Sequence, residues 1–310
     1  MFDTVAISQT FARPPDMDLL VRNGCQAFYS RHTGEPYKLT LNGEKNAGEP
    51  RITINQSPKG LWILKAEVSI GAWLFDSNIF LPEEKDMDFF FPMLSEYVGD
   101  KTGKKFDAGI ERVTRADVTR DFQIDESQVL PVIAALGNIN LPKYNRQMIN
   151  NTGIYFENKG KSKNKKYCVY SKYHDLLNKN ASPGELAKAK GLVRLEIQHK
   201  NNYAVTNLAK SLKLKNHNAD HVLTRRVSET IIENTMKLLN FAPLLEKGNG
   251  QLEKLFQTFD SLTAVKLVGH LAVKSQFGAD YGDLPFVRLT AKTIKGYDRQ
   301  CAKAGVLSLE

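Results

Sequence analysis

The sequence predicts an α+β fold: a central antiparallel sheet with packed helices, followed by a mostly helical C-terminal region. Two patterns carry this prediction. Apolar and polar residues alternate with period two, or run β-branched, through most of residues 1–80 and again in segments between 111 and 200. That is how half-buried strands are written. After Lys200 the apolar positions recur at helical spacing, as in Val222, Val227, Ile231, Thr235, Leu238 and Leu239.

Taken in order, VAISQTF, KLTLNG, RITINQ and WILKAEVSI read as strands punctuated by Gly and Asn. Leu41 to Pro50 reads as a polar hairpin loop. Ser57–Pro58–Lys59–Gly60 reads as the turn joining two antiparallel strands. The second of these strands places Trp62, Leu64, Ala66 and Val68 on one face and Lys65, Glu67 and Ser69 on the other. In residues 71–81 the apolar run is interrupted at Asp76, Ser77 and Asn78, which suits a turn or a helix cap. Residues 87–98 start a helix, with Pro92 either near its first turn or breaking it. Residues 126–137 form another, with Val129, Ile133 and Leu136 as its stripe and Pro131 early enough to be tolerated. Ser182, Pro183 and Glu185 occupy the opening positions of a capped helix. Residues 204–214, 219–240 and 251–277 read as helices, Asp280 to Asp283 as a turn, and the segment from Phe286 as basic and amphipathic. We expect two domains: a β-rich one over residues 1–210 and a mostly helical accessory region over 211–310.

The chain has 310 residues, 42% of them hydrophobic, with a formal net charge of +9. That size supports a real core. The charge favours a polyanionic partner without specifying a fold. Cys25, Cys168 and Cys301 are far apart and in no paired motif, which argues against a disulfide framework or a zinc knuckle. No run is long and apolar enough for a membrane span, and the N-terminus is too polar for a signal peptide. A cytoplasmic setting with no membrane partner is expected. No P-loop is present, so no ATPase chemistry is expected.

Three strand-like segments carry ionisable residues on one face. In VTRADVTRDF, Arg115, Asp117, Thr119 and Asp121 share a face. In GLVRLEIQHK, Val193, Leu195 and Ile197 look inward, whereas Arg194, Glu196 and Gln198 share the other side. In YCVYSK, Cys168, Tyr170 and Lys172 are expected together on one strand face. Between the strands, residues 159–166 hold five lysines and no acid, read as a phosphate-contacting loop in preference to a solvated hairpin tip.

With VTRADVTRDF (113–122), YCVYSKYHDLL (167–177) and GLVRLEIQHK (191–200) in this order, the chain resembles the replication initiator endonucleases of filamentous bacteriophages, the gene II protein family. It is also similar to the wider group of rolling-circle plasmid initiators. The resemblance covers roughly residues 40–205. It implies an enzyme that nicks one strand of origin DNA, stays attached to the 5′ phosphate through a tyrosine, and later rejoins the strand. The family's apolar–Tyr–x–Lys motif falls on Val169–Tyr170–Ser171–Lys172, so the implied nucleophile is Tyr170. The implied acidic metal groups are Asp117 and Glu196. Several relatives use a His–x–His pair; here Asp117–Val118–Thr119 stands in that strand position. Where the family shows Gly–His–Asn, this chain reads Asp76–Ser77–Asn78. Asp76 is therefore either a metal-side group or a cap.

The chemistry of these residues is coherent in its own right. A phosphodiester needs its non-bridging oxygens polarised, and Asp117 and Glu196 are hard ligands suited to Mg²⁺ or Mn²⁺. Asp76 or Asp121 would be a third ligand. Arg115 and Arg194, each two residues before a carboxylate, would orient it or grip phosphate. A tyrosine is a weak nucleophile with a free pKa near 10, and Lys172 would favour its phenolate. Tyr167, Tyr173 and Tyr203 are rival tyrosines, His174 is a further candidate base, and His199 reads as structural. DNA is the expected partner, with a host helicase and self-association as further ones. The competing functions are a non-cutting origin-binding protein and a metal-dependent hydrolase with no covalent intermediate.

Overall fold

A computed structural model describes residues 1–44, 47–77, 79–137, 139–160, 163–239, 241, 258–277 and 291–303. Among these the fold is α+β, with a large antiparallel sheet and helices that dominate after residue 200. The strands are β1 (Phe2–Phe11), β2 (Gln26–Tyr29), β3 (Pro36–Leu41), β4 (Arg51–Gln56), β5 (Trp62–Ser69), β6 (Arg112–Gln123), β7 (Tyr144–Ile149), β8 (Gly153–Asn158), β9 (Lys165–Ser171) and β10 (Leu192–His199). The helices up to the last sheet strand are α1 (Met17–Arg22), α2 (Ile70–Phe75), α3 (Met87–Thr102), α4 (Glu126–Leu136), α5 (Lys172–Leu177) and α6 (Pro183–Ala189). Among the described residues it is followed by α7 (Asn202–Ser211), α8 (Ala219–Val222), α9 (Arg225–Leu238), α10 (Ser261–Phe277) and α11 (Ala291–Lys303). The chain forms two compact units. One comprises Met1–Arg120, Gly160–Lys166 and Glu196–Ile232; the other comprises Asp121–Lys159, Tyr167–Leu195 and Glu233–Glu310.

In the first unit the strand order is β2-β3-β4-β5-β1-β6. The expected β4–β5 hairpin forms: Ile54 faces Leu64 and Ile52 faces Ala66, and the Ser57–Gly60 turn is closed by backbone bonds from Ser57 to Leu61 and from Gly60 to Ser57. Period two then sorts the side chains. Val5, Ile7, Leu39, Ile52, Ile54, Leu64, Ala66 and Val68 are buried on one face. Helix α3 adds Phe90, Leu94 and Val98 to this core, and α1 packs against α3. Helix α3 runs through Pro92 rather than ending there. The ring removes one hydrogen bond, but buried apolar side chains on either side hold the helix. The expected helix over 219–240 is interrupted at Leu223 and Thr224, giving α8 and α9.

In the second unit β10, β9, β8 and β7 are neighbours in that order. Helix α4 begins at Asp125, whose carboxylate accepts from Ser127 N–H, and it buries Val129, Ile133 and Leu136 as the periodicity predicts. Helix α6 carries the expected Ser182–Glu185 capping box. Helices α10 and α11 are joined by an internal polar contact: Asp298 Oδ1 lies 3.0 Å from His270 Nε2 and accepts from Lys274 Nζ at 2.5 Å. The turn expected at Asp280 to Asp283, the first part of the basic segment from Phe286, and residues 251–257 lie outside the described residues.

Candidate active site

The first unit gathers Arg115, Asp117, Glu67 and Glu196. Arg115 and Asp117 are on the same face of β6, and Arg115 is the hub. Its Nη1 donates to Glu67 Oε1 at 2.6 Å; its Nε and Nη2 donate to Asp117 Oδ2 at 3.0 and 2.6 Å. Two donors therefore converge on one carboxylate oxygen. The other, Asp117 Oδ1, is buried with no hydrogen-bond partner among the described residues. A buried acceptor in that state is costly unless something else satisfies it. Burial pushes the Asp117 carboxyl up to about 7; Arg115 works against this, whereas the charges of Glu196 and Asp3 add to it. Burial also acts upward on Glu67, but Lys65 and Arg115 hold it below the usual carboxylate range. Glu196, on β10, accepts from the Gln198 amide at 2.5 Å.

This arrangement fits a hard divalent cation in one respect. An unpartnered buried oxygen, with two further carboxylates close enough to raise its proton affinity, is a site with more negative charge than its partners neutralise. Among the described residues no three His, Cys, Asp or Glu side chains converge as a ready-made cage. Mg²⁺ commonly needs fewer, because it keeps several waters and takes one or two carboxylates. Asp117 and Glu196 would hold it. Sequence reasoning passed over Asp3, whose Oδ1 accepts from Ser69 Oγ at 2.9 Å. Its signal was a single carboxylate at the head of the first strand, just before the buried run over residues 5–8.

The second unit holds Arg194, Asp121, Lys172 and Tyr170. Arg194 was expected to orient Glu196, and Asp121 to offer a metal ligand. Instead they bind each other: Arg194 Nε donates to Asp121 Oδ1 and Nη2 to Oδ2, both at 2.7 Å. Both carboxylate oxygens are engaged in a planar two-pronged contact. Arg194 is 1% exposed, so the pair is a structural tie.

Lys172 also departs from expectation. It is not on the strand but opens helix α5, after the Ser171 cap. Its ammonium is buried and donates to Asp175 Oδ2 at 3.2 Å, and Lys179 reaches the same carboxylate. Burial, then the charge of Arg194, pulls the Lys172 pKa down. Tyr170 stands one residue before the cap, half-buried at the end of β9. Gly153 on β8 lies against it: a Cβ at Gly153 would come within 2.9 Å of Tyr170 Cβ. His174 Nδ1 lies 2.9 Å from Ser171 Oγ.

The remaining candidates fall elsewhere. Asp76 is the exposed C-cap of α2, with a left-handed φ of 51°, which is the capping alternative. Tyr167 is buried and contacts Tyr144, which with burial raises its pKa. Tyr203 is 63% exposed on α7. His199 is buried, and desolvation pushes it down to about 3, a core histidine as expected. In the lysine segment, Lys165 and Lys166 belong to β9, Lys159 Nζ donates to the Pro142 carbonyl, and Lys161 lies outside the described residues.

No helix among the described residues is long and apolar enough to cross a membrane. No curated protein matches the chain. Residues 85–231 match the family model for the N-terminal part of the phage replication-associated protein encoded by gene II. That segment contains Arg115, Asp117, Asp121, Tyr170, Lys172, Arg194 and Glu196, and leaves Asp76 outside. This segment, a little under half of the chain, is similar to the phage replication-associated proteins of the filamentous gene II type and supports a replication initiator of that type.

Proposed function

We propose that this protein is a rolling-circle replication initiator that nicks and rejoins one strand of phage or plasmid origin DNA through a covalent 5′-phosphotyrosine. The observation that carries the chemistry is Asp117: a buried carboxylate with one oxygen tied to Arg115 and the other open, close to Glu196. A site of this kind suits Mg²⁺ or Mn²⁺, which when bound supplies Lewis acidity to a phosphate oxygen. Arg115 fixes the carboxylate and neutralises part of its charge. Tyr170, half-buried at a strand end, is the nucleophile. Its phenolic oxygen bonds to phosphorus as the bond to the 3′ oxygen breaks. The phenol loses its proton and the 3′ oxygen takes one up. Attack by a 3′ hydroxyl on the phosphotyrosine reverses the step, and the phosphodiester energy is conserved, so no nucleotide is consumed. Lys172, buried and held by Asp175, positions the start of α5 and so the strand end before it.

Residues 1–210 would carry the nuclease and 211–310 accessory DNA contacts. A host helicase and a second copy of the chain are further partners in this reading, with the bacterial cytoplasm as its setting. The test is a denaturing gel of protein incubated with labelled single-stranded origin DNA and Mn²⁺. The expected result is a covalent protein–DNA band that is absent from Tyr170→Phe. Cleavage without such a band makes the protein a simple metal-dependent hydrolase. Binding without cleavage makes it a non-catalytic origin binder.

A further inference from the structure

The first unit's sheet has a second face, opposite its apolar one, and the strand registers show how it is laid out. Phe28 faces Lys38, Lys38 faces Asn55, and Asn55 faces Ile63, across β2, β3, β4 and β5. The next row inward runs Gln26, Thr40, Thr53, Lys65, Ser8 and Arg112. The third runs Arg51, Glu67, Ala6 and Arg115. Successive rows are about 7 Å apart, and Phe28 and Ile63 are about 14 Å apart, from ordinary strand spacings.

Three features of this face are unusual for a surface that merely meets water. Phe28 and Ile63 are large and exposed, at 43% and 36%. The Lys38 ammonium sits over the Phe28 ring at 5.3 Å. The three rows hold five cations, Lys38, Lys65, Arg51, Arg112 and Arg115, against one carboxylate, Glu67. At the third row the face opens into a cavity of about 330 Å³ lined by Thr4, Arg51, Glu67 and Ser69. The row ends on Arg115, which holds Asp117.

We propose that this face is a track for single-stranded DNA, with Phe28 and Ile63 as base-stacking surfaces and Lys38 as a phosphate contact, leading to the Asp117 carboxylate. Base stacking on an exposed ring, backed by cations along the strand, is how single strands are held without sequence preference. The identification of the polyanion as DNA rests on the nicking reading above. The platform itself, from β2 to β5, lies outside the residues matched to the initiator family.

The test measures fluorescence anisotropy of a labelled oligothymidine with the full chain in a Tyr170→Phe background, which separates binding from cleavage. Phe28→Ala is expected to weaken binding about tenfold, and Phe28→Trp to restore it. Lys38→Ala is expected to flatten the dependence of log affinity on log salt by about one unit. Both side chains are at the surface, so circular dichroism and the thermal midpoint should match the parent. Affinity within about twofold of the parent in Phe28→Ala, or a loss that Phe28→Trp does not restore, overturns the proposal. So does sedimentation showing that Phe28→Ala splits a dimer while oligothymidine affinity stays unchanged; β2 is then an edge that pairs with a second copy. If Phe28→Ala loses binding but no covalent adduct forms with wild-type Tyr170, the track stands and the nicking reading falls.

Discussion

Strand β6 carries two aspartates, and each meets an arginine, yet the two pairs do opposite things. Asp121 receives one N–H on each oxygen from Arg194 and has no carboxylate oxygen left over. Asp117 receives two N–H groups of Arg115 on one oxygen, and the other has no partner among the described residues. The difference is geometric. Arg194 comes from another strand and meets its carboxylate fork to fork. Arg115 comes from the same strand as Asp117 and approaches side-on, because it is also held by Glu67. The first pair is saturated and stabilises. The second keeps an acceptor available at a cost in stability, the usual mark of a site with a function beyond folding.

The strongest way to break this comparison is to neutralise each aspartate in turn. Asp117→Asn is expected to lower origin cleavage about 10²–10³-fold while leaving the fold intact, because an amide oxygen still accepts from Arg115. Asp121→Asn should change cleavage far less and lower stability instead. Equal losses of cleavage from the two, at matched stability, would erase the distinction. Removing the other half of the closed pair gives the next effect. Arg194→Met leaves a half-buried carboxylate without its partner and should cost about 3 kcal/mol, read as a lower urea midpoint with unchanged slope.

The pH dependence should sharpen the contrast further. The Asp117 carboxyl lies at about 7 in the folded protein, against an ordinary value of 3.8. Between these values the folded state binds more protons than the unfolded one, so this residue's contribution to stability falls as pH rises from about 4 to about 7 and is flat above. Glu67 is shifted the other way, so its contribution is present above the ordinary carboxylate range and is lost on acidification through its lowered folded value. Thermal midpoints over that window should show a slope in the parent that Asp117→Asn lacks, and Mn²⁺ should reduce the slope in the parent alone. The smallest expected effect is at Asp76. A glycine adopts its left-handed φ of 51° without strain, so Asp76→Gly should shift stability by less than about 1 kcal/mol and leave cleavage unchanged. A loss of metal-dependent cleavage in that variant would restore Asp76 as a ligand.

Much of the fold was legible because its strands sit at an apolar–polar boundary. The β4–β5 hairpin, β6, β8 and β10 all follow the period of two, α4 shows its apolar stripe, and α6 announces its cap. What was missed lacked such a boundary. Strand β7 is largely exposed, so its sequence shows no alternation to read. Lys172 continues the strand period of YCVYSK on paper. The chain turns because Ser171 can cap a helix, with its hydroxyl accepting from His174 N–H. The site was legible as residue types but not as pairings. Alternation puts Arg194 and Glu196 on one face. It says nothing about the partner strand, and Asp121 is supplied from there.

Gly153 adds a constraint of a different kind. Its backbone φ is not positive, so nothing in its own conformation requires glycine. The requirement comes from across the ladder, where Tyr170 Cβ already fills the space a side chain would need. Even alanine there must move the tyrosine strand, and Tyr170→Phe would not relieve the clash, because the crowding is at Cβ rather than at the ring. The two positions are thus coupled in sequence space: the smallest residue on one strand makes room for the proposed nucleophile on its neighbour. Substituting Gly153 would displace the tyrosine while leaving its hydroxyl chemistry intact.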